Sequence, residues 1–491
     1  MRTIGTPSTQ ARKLNAIASG ALPNGDPVVV NSDGTVSVIA ETSVSEATGS
    51  TGTMTGGAFS SVSKQNGVYD PSANRIVVVY ADTLSSRTPY YVLGTITGTS
   101  ISWSTPATIP TATSTIRSSM AVSYDPSVQK VVIFYKRNNS AEDGGVLVGD
   151  VGASSITFGS DVAVNSGTQI SLPMLVYAEN VQKTVLLYND VSGSQHGEAI
   201  VADISGTTIT LNTASSFTGS NLNPQTGSAT YDSVNDKIVV TYGAGGASDY
   251  GYCSVGSVSG TTASFGTPVV YESSVVNQSG TSVDIAENKV LVCYRSVSGS
   301  NYGKYRIGTI SGNSISFTAS ANFFASSMNY PAVAYDAAAG KHLVTYQDVG
   351  ASDEGRLRDI TVSGSTATVS SDIVSYGRSA SNQVIYDDTI KKNVVFWNDD
   401  AAGDGEAFIR QNAYASTNLT AENYIGLSSN GYPDTAGATI DVQGAINDKQ
   451  SGLTAGQAYY VQTDGTLTTT AGDPSVFAGT AISATKMIVK G

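Results

Sequence analysis

The sequence predicts an all-β protein in which a ring of seven repeated units is inserted into a small second domain. Three observations carry that expectation. The composition is strand-forming with no helical periodicity, one anchor motif recurs seven times, and the two ends of the chain echo each other.

Val, Ile, Thr and Tyr fill the apolar runs, and Gly-rich turns separate them, as in β proteins. Only 13% of the residues are charged and 51 are Gly, but 40% apolar residues and 26 Tyr leave ample material for a core. The net charge of −13 is spread along the chain with no basic stripe, which excludes a phosphate-tracking nucleic-acid surface. No apolar run is long enough to span a membrane, and the start "MRTIGTPSTQARKLNAIASG" lacks the apolar stretch of a signal peptide. Cys253 and Cys293 sit inside strand-like runs and read as two buried small hydrophobes, not as a disulfide framework.

The anchor is an apolar pair before a tight turn, followed by a second apolar run. It reads "VYDPSANRIVVVY" (68–80), "SYDPSVQKVVIFY" (123–135), "VYAENVQKTVLLY" (176–188) and "TYDSVNDKIVVTY" (230–242). It continues as "SVDIAENKVLVCY" (282–294), "AYDAAAGKHLVTY" (334–346) and "IYDDTIKKNVVFW" (385–397). Each unit is expected to hold four short strands. The first ends at the Tyr-Asp pair, whose Asp suits a capped turn, and the second is a solid apolar run covered on both faces. A Gly-containing hairpin such as "SGNSISF" (311–317) joins the third strand to the fourth. Units of this kind, with no helix between them, fit a closed seven-bladed β-propeller, in which every unit covers the next. An open solenoid would need caps that the sequence does not contain.

Six copies carry a fourth strand, and the seventh does not. "GTMTGGAF" (52–59) stands upstream of the first copy, where a fourth strand would lie. Residues 52–59 are therefore expected to complete the last blade, which would bring both chain ends out side by side. Entry and exit so placed suit a domain insertion. The expected division is 1–40 and 415–491 as two parts of a small split β-barrel-like base, with 41–414 as the propeller.

The echo supports that division. "ALPNGDPVVVNSDGTV" (21–36) matches "GLTAGQAYYVQTDGTL" (452–467) at Leu22/Leu453, Gly25/Gly456, Val30/Val461 and Asp33-Gly34-Thr35/Asp464-Gly465-Thr466. The two segments are expected to be paired strands and turns of one barrel. Two separate end domains are the alternative, but forty N-terminal residues are too few to bury a core alone.

No catalytic, cofactor-binding or metal-binding residue is assigned. The Asp-box turn of sialidases, a nucleophile elbow and a phosphate-binding loop are all absent. Asp399, Asp400, Asp404 and Glu406 crowd one loop, but its counterparts "NDVSGSQHGE" and "QDVGASDEGR" point to turn chemistry over a cation site. His342 stands where other copies have Val and reads as a packed core residue. The informative feature is the loop between the second and third strands. Its length is held while its content changes, from "KRNNSAEDGGV" to "GAGGASDYGYC" to "RSVSGSNYGKY". Differing tips on a rigid ring make a recognition surface. Tyr90, Tyr91, Arg137, Tyr250 and Tyr302 are the candidate ligand-binding residues.

The run "NLTAENYIGLSS" (418–429), followed by "GATIDVQGAINDKQSGLTAGQAYYVQTDGTLTTT" (437–470), is similar to a small β domain of tailed-phage virion proteins. The propeller wording "YDPSxxKVVIxY" and "GTISGxSISF" resembles that of structural proteins from marine phages, including cyanophages. This resemblance implies a non-enzymatic virion surface protein that is assembled in the host cytoplasm and oligomeric on the particle. The base would anchor to capsid or tail proteins, and the loop face would bind a host-surface glycan or envelope protein. A stabilising head-decoration or cement protein is the alternative, followed by a glycan-degrading enzyme.

Overall fold

The computed structural model describes residues 12–55, 59–60, 66–82, 87–191, 196–219, 222–245, 249–298, 300–399, 401–472 and 474–490. Among them the architecture is all-β, with two short 3-10 turns at Glu179–Val181 and Val349–Ala351. No helix among the described residues is long and apolar enough to cross a membrane. The chain divides into two compact units, one of Glu46–Asn412 and one of Met1–Ser45 with Ala413–Gly491.

The larger unit repeats one antiparallel pattern. In the fifth copy Val269–Asp284 pairs with Lys289–Ser296, which pairs with Tyr302–Ser311, which pairs with Ser314–Phe317. The turn between first and second strands has one geometry in every copy. The fourth residue after the Asp position is left-handed each time, from Asn74 (φ 56°) and Gln129 (φ 56°) to Gly340 (φ 63°) and Lys391 (φ 50°). The Asp makes that turn: Asp70 Oδ1 accepts from the amides of Ser72 (2.9 Å) and Ala73 (3.1 Å), and Asp232 Oδ1 from those of Val234 (3.0 Å) and Asn235 (3.1 Å). Where Ala178 replaces the Asp there is no side-chain cap, and the 3-10 turn Glu179–Val181 takes its place.

In three copies the other carboxylate oxygen reaches the following copy. Asp125 Oδ2 accepts from Thr184 Oγ1 (2.9 Å), and Asp336 Oδ2 accepts from Asn393 Nδ2 (2.8 Å). Asp284 Oδ2 faces His342 Nε2 at 3.5 Å, and His342 Nδ1 lies 2.8 Å from Ser282 Oγ. His342 is fully buried, as a core residue should be, and burial pushes its pKa below the usual imidazole value. Cys253 and Cys293 are free and buried.

An apolar cluster joins each copy to the next, six in succession. A seventh joins the last copy to the first, with Ile76, Val78 and Val92 against Val394, Phe396 and Ile409. Asn66 and Gln383 bridge the same two copies: the Asn66 amide donates to Gln383 Oε1 (2.8 Å) and Gln383 Nε2 donates to Asn66 Oδ1 (2.6 Å). The first strands of all seven copies line a cavity of about 410 Å³.

The segment expected to complete the last copy divides in two. Gly52–Thr55 pairs with the seventh copy's third strand, with Ala407 opposite Gly52 and Glu406 opposite Thr53. Ala47–Thr48 pairs with the same strand just upstream, and Met54 is buried in the seventh cluster. Phe59–Ser60 instead pairs with the second strand of the first copy, Phe59 opposite Asp82, and residues 56–58 lie outside the described residues. The reason is visible in Val269–Asp284, Ala321–Asp336 and Val374–Asp387, where the outer edge of one copy runs directly into the first strand of the next. By Phe59 the chain has already crossed over.

The smaller unit is not a single barrel. It holds two five-stranded sheets, beside a short pairing of Glu41–Val44 with Tyr414–Thr417. One sheet has the order Val36–Val38, Pro27–Val30, Tyr424–Ser428, Gly437–Asp441, Lys13–Ile17; the other has Leu467–Thr468, Ala458–Val461, Val476–Ser483, Lys486–Val489, Ile446–Asn447. The echoing segments therefore do not pair with each other. Each occupies the same place in its own sheet. The Asp33 turn and the Asp464 turn are superimposable in their bonds: each Oδ1 accepts from the amide (2.9 Å) and hydroxyl (2.6 Å) of the Thr two residues on. Both sheets shift register at a matching glycine, Gly426 (φ 152°) and Gly479 (φ 159°), where a Cβ would strike a carbonyl oxygen of the next strand at 2.1 and 2.2 Å. Val29, Tyr424 and Leu427 of one sheet pack against Val461, Ala478 and Met487 of the other.

Candidate functional site

Each copy carries an aromatic residue two places before the end of its second strand, and all seven are buried, at 3% exposure or less. Opposite each, on the third strand, stands a different residue. The pairs are Tyr80/Tyr90, Tyr135/Gly145, Tyr188/Glu198, Tyr242/Tyr252, Tyr294/Lys304, Tyr346/Arg356 and Trp397/Glu406. Apart from Gly145 the second members are half-buried. Side chains alternate along a strand, so two residues earlier on the same face stand Thr88, Tyr250, Tyr302, Glu354 and Asp404. The aromatic platform packs toward the preceding copy, as Tyr242 does with Leu187 and Val201. Each ladder of two residues thus sits at a seam between copies, where the loop between second and third strands ends.

The chemistry of the ladders differs. Tyr90 stacks on Tyr80 with ring centroids 5.7 Å apart, and Tyr252 stacks on Tyr242 at 5.9 Å and 12°. Tyr250 and Tyr302 extend two of the ladders, and Tyr90, Tyr250 and Tyr302 are half-buried. Arg356 is held by Glu354 (2.7 Å), with Asp372 at 3.6 Å and Asp348 at 3.7 Å. Burial pushes the carboxyls of Glu198 and Glu406 above the usual range, and Asp399 and Asp404 add to the shift at Glu406.

Two of the expected ligand residues are not available. Tyr91 is 5% exposed and packs with Leu93, Ile133 and Ile156, its hydroxyl accepting from the Ile156 amide at 3.1 Å. It neighbours Tyr90 on one strand and so faces the opposite way. Arg137 is 8% exposed, hydrogen-bonded to Asp161 and 3.7 Å from Asp143. Asp161 also accepts from the Tyr135 hydroxyl, so Arg137 serves to pin the outer strand of its own copy. The arrangement recurs as Tyr294, Glu272 and Arg306, and as Tyr346, Asp372 and Arg358.

In the acidic loop, Asp399 Oδ1 accepts from the amides of Ala401 (2.7 Å) and Ala402 (3.1 Å), a turn function. Among the described residues no group of three His, Cys, Asp or Glu could hold a metal ion. Asp400 and the loop centres at 83–86, 192–195, 246–248 and 299 lie outside the described residues.

No family model matches the chain, and no curated protein matches it. Among solved structures it is similar to the BP39L lectin from Burkholderia pseudomallei, with 11% identity over 77% of this chain and 99% of that one, at a TM-score of 0.53. AofleA from Arthrobotrys oligospora matches at 9% identity over 73% and 97% of the two chains, with a TM-score of 0.39. BBS1N, crystallised with ARL6DN, matches at 10% identity over 74% and 96%, with a TM-score of 0.47. At 11% identity the likeness to the lectin concerns the fold alone: an all-β assembly of antiparallel sheets.

Proposed function

We propose that this chain is a non-enzymatic recognition protein of a phage particle, in which a seven-bladed β-propeller is inserted into a split β base. The seam ladders of the propeller bind glycans or proteins of the host surface, and the base anchors the chain to capsid or tail. The observation that carries the reading is the constant buried aromatic with a changing partner across it. A fixed platform bearing Tyr, Glu, Lys and Arg in turn is what a multivalent recognition surface requires. Tyr faces stack on sugar rings and carboxylates accept their hydroxyls. Several weak seams acting together raise avidity by about 10²–10⁴ with no single tight site. The lectin-like fold supports a glycan as ligand, and the resemblance of the C-terminal run and the repeats to tailed-phage structural proteins supports the particle as its location.

The test is a particle carrying Tyr250→Ala, Tyr252→Ala, Tyr302→Ala and Lys304→Ala together. Incorporation into the virion should be unchanged while adsorption to host cells falls by about tenfold or more. Normal adsorption with heat- or salt-fragile particles would instead indicate a stabilising decoration protein.

A further inference from the structure

We propose that the cavity enclosed by the seven first strands is a second ligand site, for a neutral, hydroxyl-bearing molecule of about monosaccharide size. This site is separate from the seams and goes beyond the function proposed above. Its volume of about 410 Å³ lies within the range of small-molecule sites, roughly 300–1,000 Å³.

The argument rests on one turn aspartate that is more exposed than its five counterparts. In three copies the second oxygen of the turn aspartate meets the residue six places after the next copy's own Asp position. Thr184 and Asn393 stand there and donate, and His342 stands there beside Asp284. Where Val131 stands there, the second oxygen of Asp70 is buried and makes no hydrogen bond. Asp232 Oδ2 accepts instead from Asn235 Nδ2 of its own turn (2.7 Å), and all five of these aspartates are 2% exposed or less. Asp387 is the sixth. The copy that follows it is the first, which offers Ile76, an apolar and fully buried side chain. Asp387 Oδ1 still caps its turn through the amides of Thr389 (2.8 Å) and Ile390 (3.3 Å). Asp387 stays half-buried and lines the cavity.

Among the described residues that line the cavity, Asp387 is the only charged one. With no Lys, Arg or His in that lining, an anion would meet repulsion and no counter-charge on the wall. The wall is otherwise neutral and amphipathic, with Tyr69, Tyr231, Tyr335 and Tyr386 and the Ser123 hydroxyl. Tyr386 is fixed by its hydroxyl, which donates to Asp388 Oδ1 (2.9 Å) and accepts from the Ala338 amide (3.1 Å). A half-buried carboxylate among anchored tyrosines matches a polyol, which donates hydroxyls to the one and lays C–H faces on the others.

The experiment is saturation-transfer NMR of the full chain with D-glucose, D-galactose, D-mannose and N-acetyl-D-glucosamine. Asp387→Asn keeps a turn acceptor and removes the charge, and Ser123→Phe fills the cavity from another copy. At least one sugar should bind the unaltered protein, with affinity about tenfold or more weaker in Asp387→Asn, the effect of one charge-assisted hydrogen bond. Ser123→Phe should abolish binding, and Tyr250→Ala/Tyr252→Ala should leave it intact. The inference falls if no sugar binds, or if both cavity variants bind as the unaltered chain does. Loss confined to the seam variant would uphold the seam reading and reject this one.

Discussion

Met54→Ala tests whether the chain's upstream segment secures the seventh copy. Met54 is 2% exposed and sits in the cluster formed with Val394, Phe396, Ala407 and Ile409, some 340 residues away in sequence. Truncating a buried Met to Ala costs about 2–5 kcal/mol, the sum of lost transfer energy and the cavity left behind. The protein supplies its own reporters, because its two tryptophans, Trp103 and Trp397, belong to the first and last copies. Urea unfolding followed by tryptophan fluorescence should show the loss as a lower midpoint. Met120→Ala is the internal standard: Met120 is 1% exposed in the cluster between the first and second copies, with no part in joining the ends. If Met120→Ala lowers the midpoint and Met54→Ala does not, Gly52–Thr55 is not holding the seventh copy, and the account of how the copies are joined is wrong.

Three further outcomes are expected. Gly355→Ala should destabilise by about 1–3 kcal/mol, since the added Cβ would lie 1.9 Å from the Tyr376 ring, which is itself wedged against Trp397 and Phe408. Gly340→Ala meets no atom within 4 Å, so its cost should be only the left-handed strain of φ 63°, about 1–2 kcal/mol by calorimetry. Glu406 has its pKa raised in the folded state, so the stability its protonated form contributes is complete below the unfolded value of 4.5 and is lost as pH rises through the folded value. Glu406→Gln should therefore raise the thermal midpoint at pH 7 and leave it unchanged near pH 4. Equal shifts at both pH values would show that Glu406 does not titrate as its burial implies.

The parts of the structure that were legible in sequence are those fixed by local chemistry. The spacing from Asp to aromatic set the turn and the second strand of every copy, and the Asp caps form as the residue type requires. What escaped depends on register across a long loop. Tyr90 and Tyr91 are neighbours, and only the pairing of Tyr90 with Tyr80 decides which of them faces the seam. The same pairing creates the ladder at Glu198, Lys304 and Arg356, none of which stands out in the sequence. Arg137 looked like a loop tip because its partner Asp161 arrives from the outer strand of the copy. The echo between the ends was read as adjacency, whereas likeness of sequence fixes likeness of conformation and says nothing about which strand lies beside which.

The smaller unit is one motif written twice, and its two versions differ most in a single junction. In one sheet the step from Val36–Val38 to Tyr424–Ser428 encloses the whole of Glu46–Asn412; in the other, the step from Leu467–Thr468 to Val476–Ser483 takes a handful of residues. A scaffold that accommodates so large a guest at one port carries a second port of the same construction, already plugged by a short bridge. Grafting a foreign domain between Thr468 and Val476 should leave both sheets intact, and exchanging the occupants of the two ports should be an architectural rearrangement and not a change of fold.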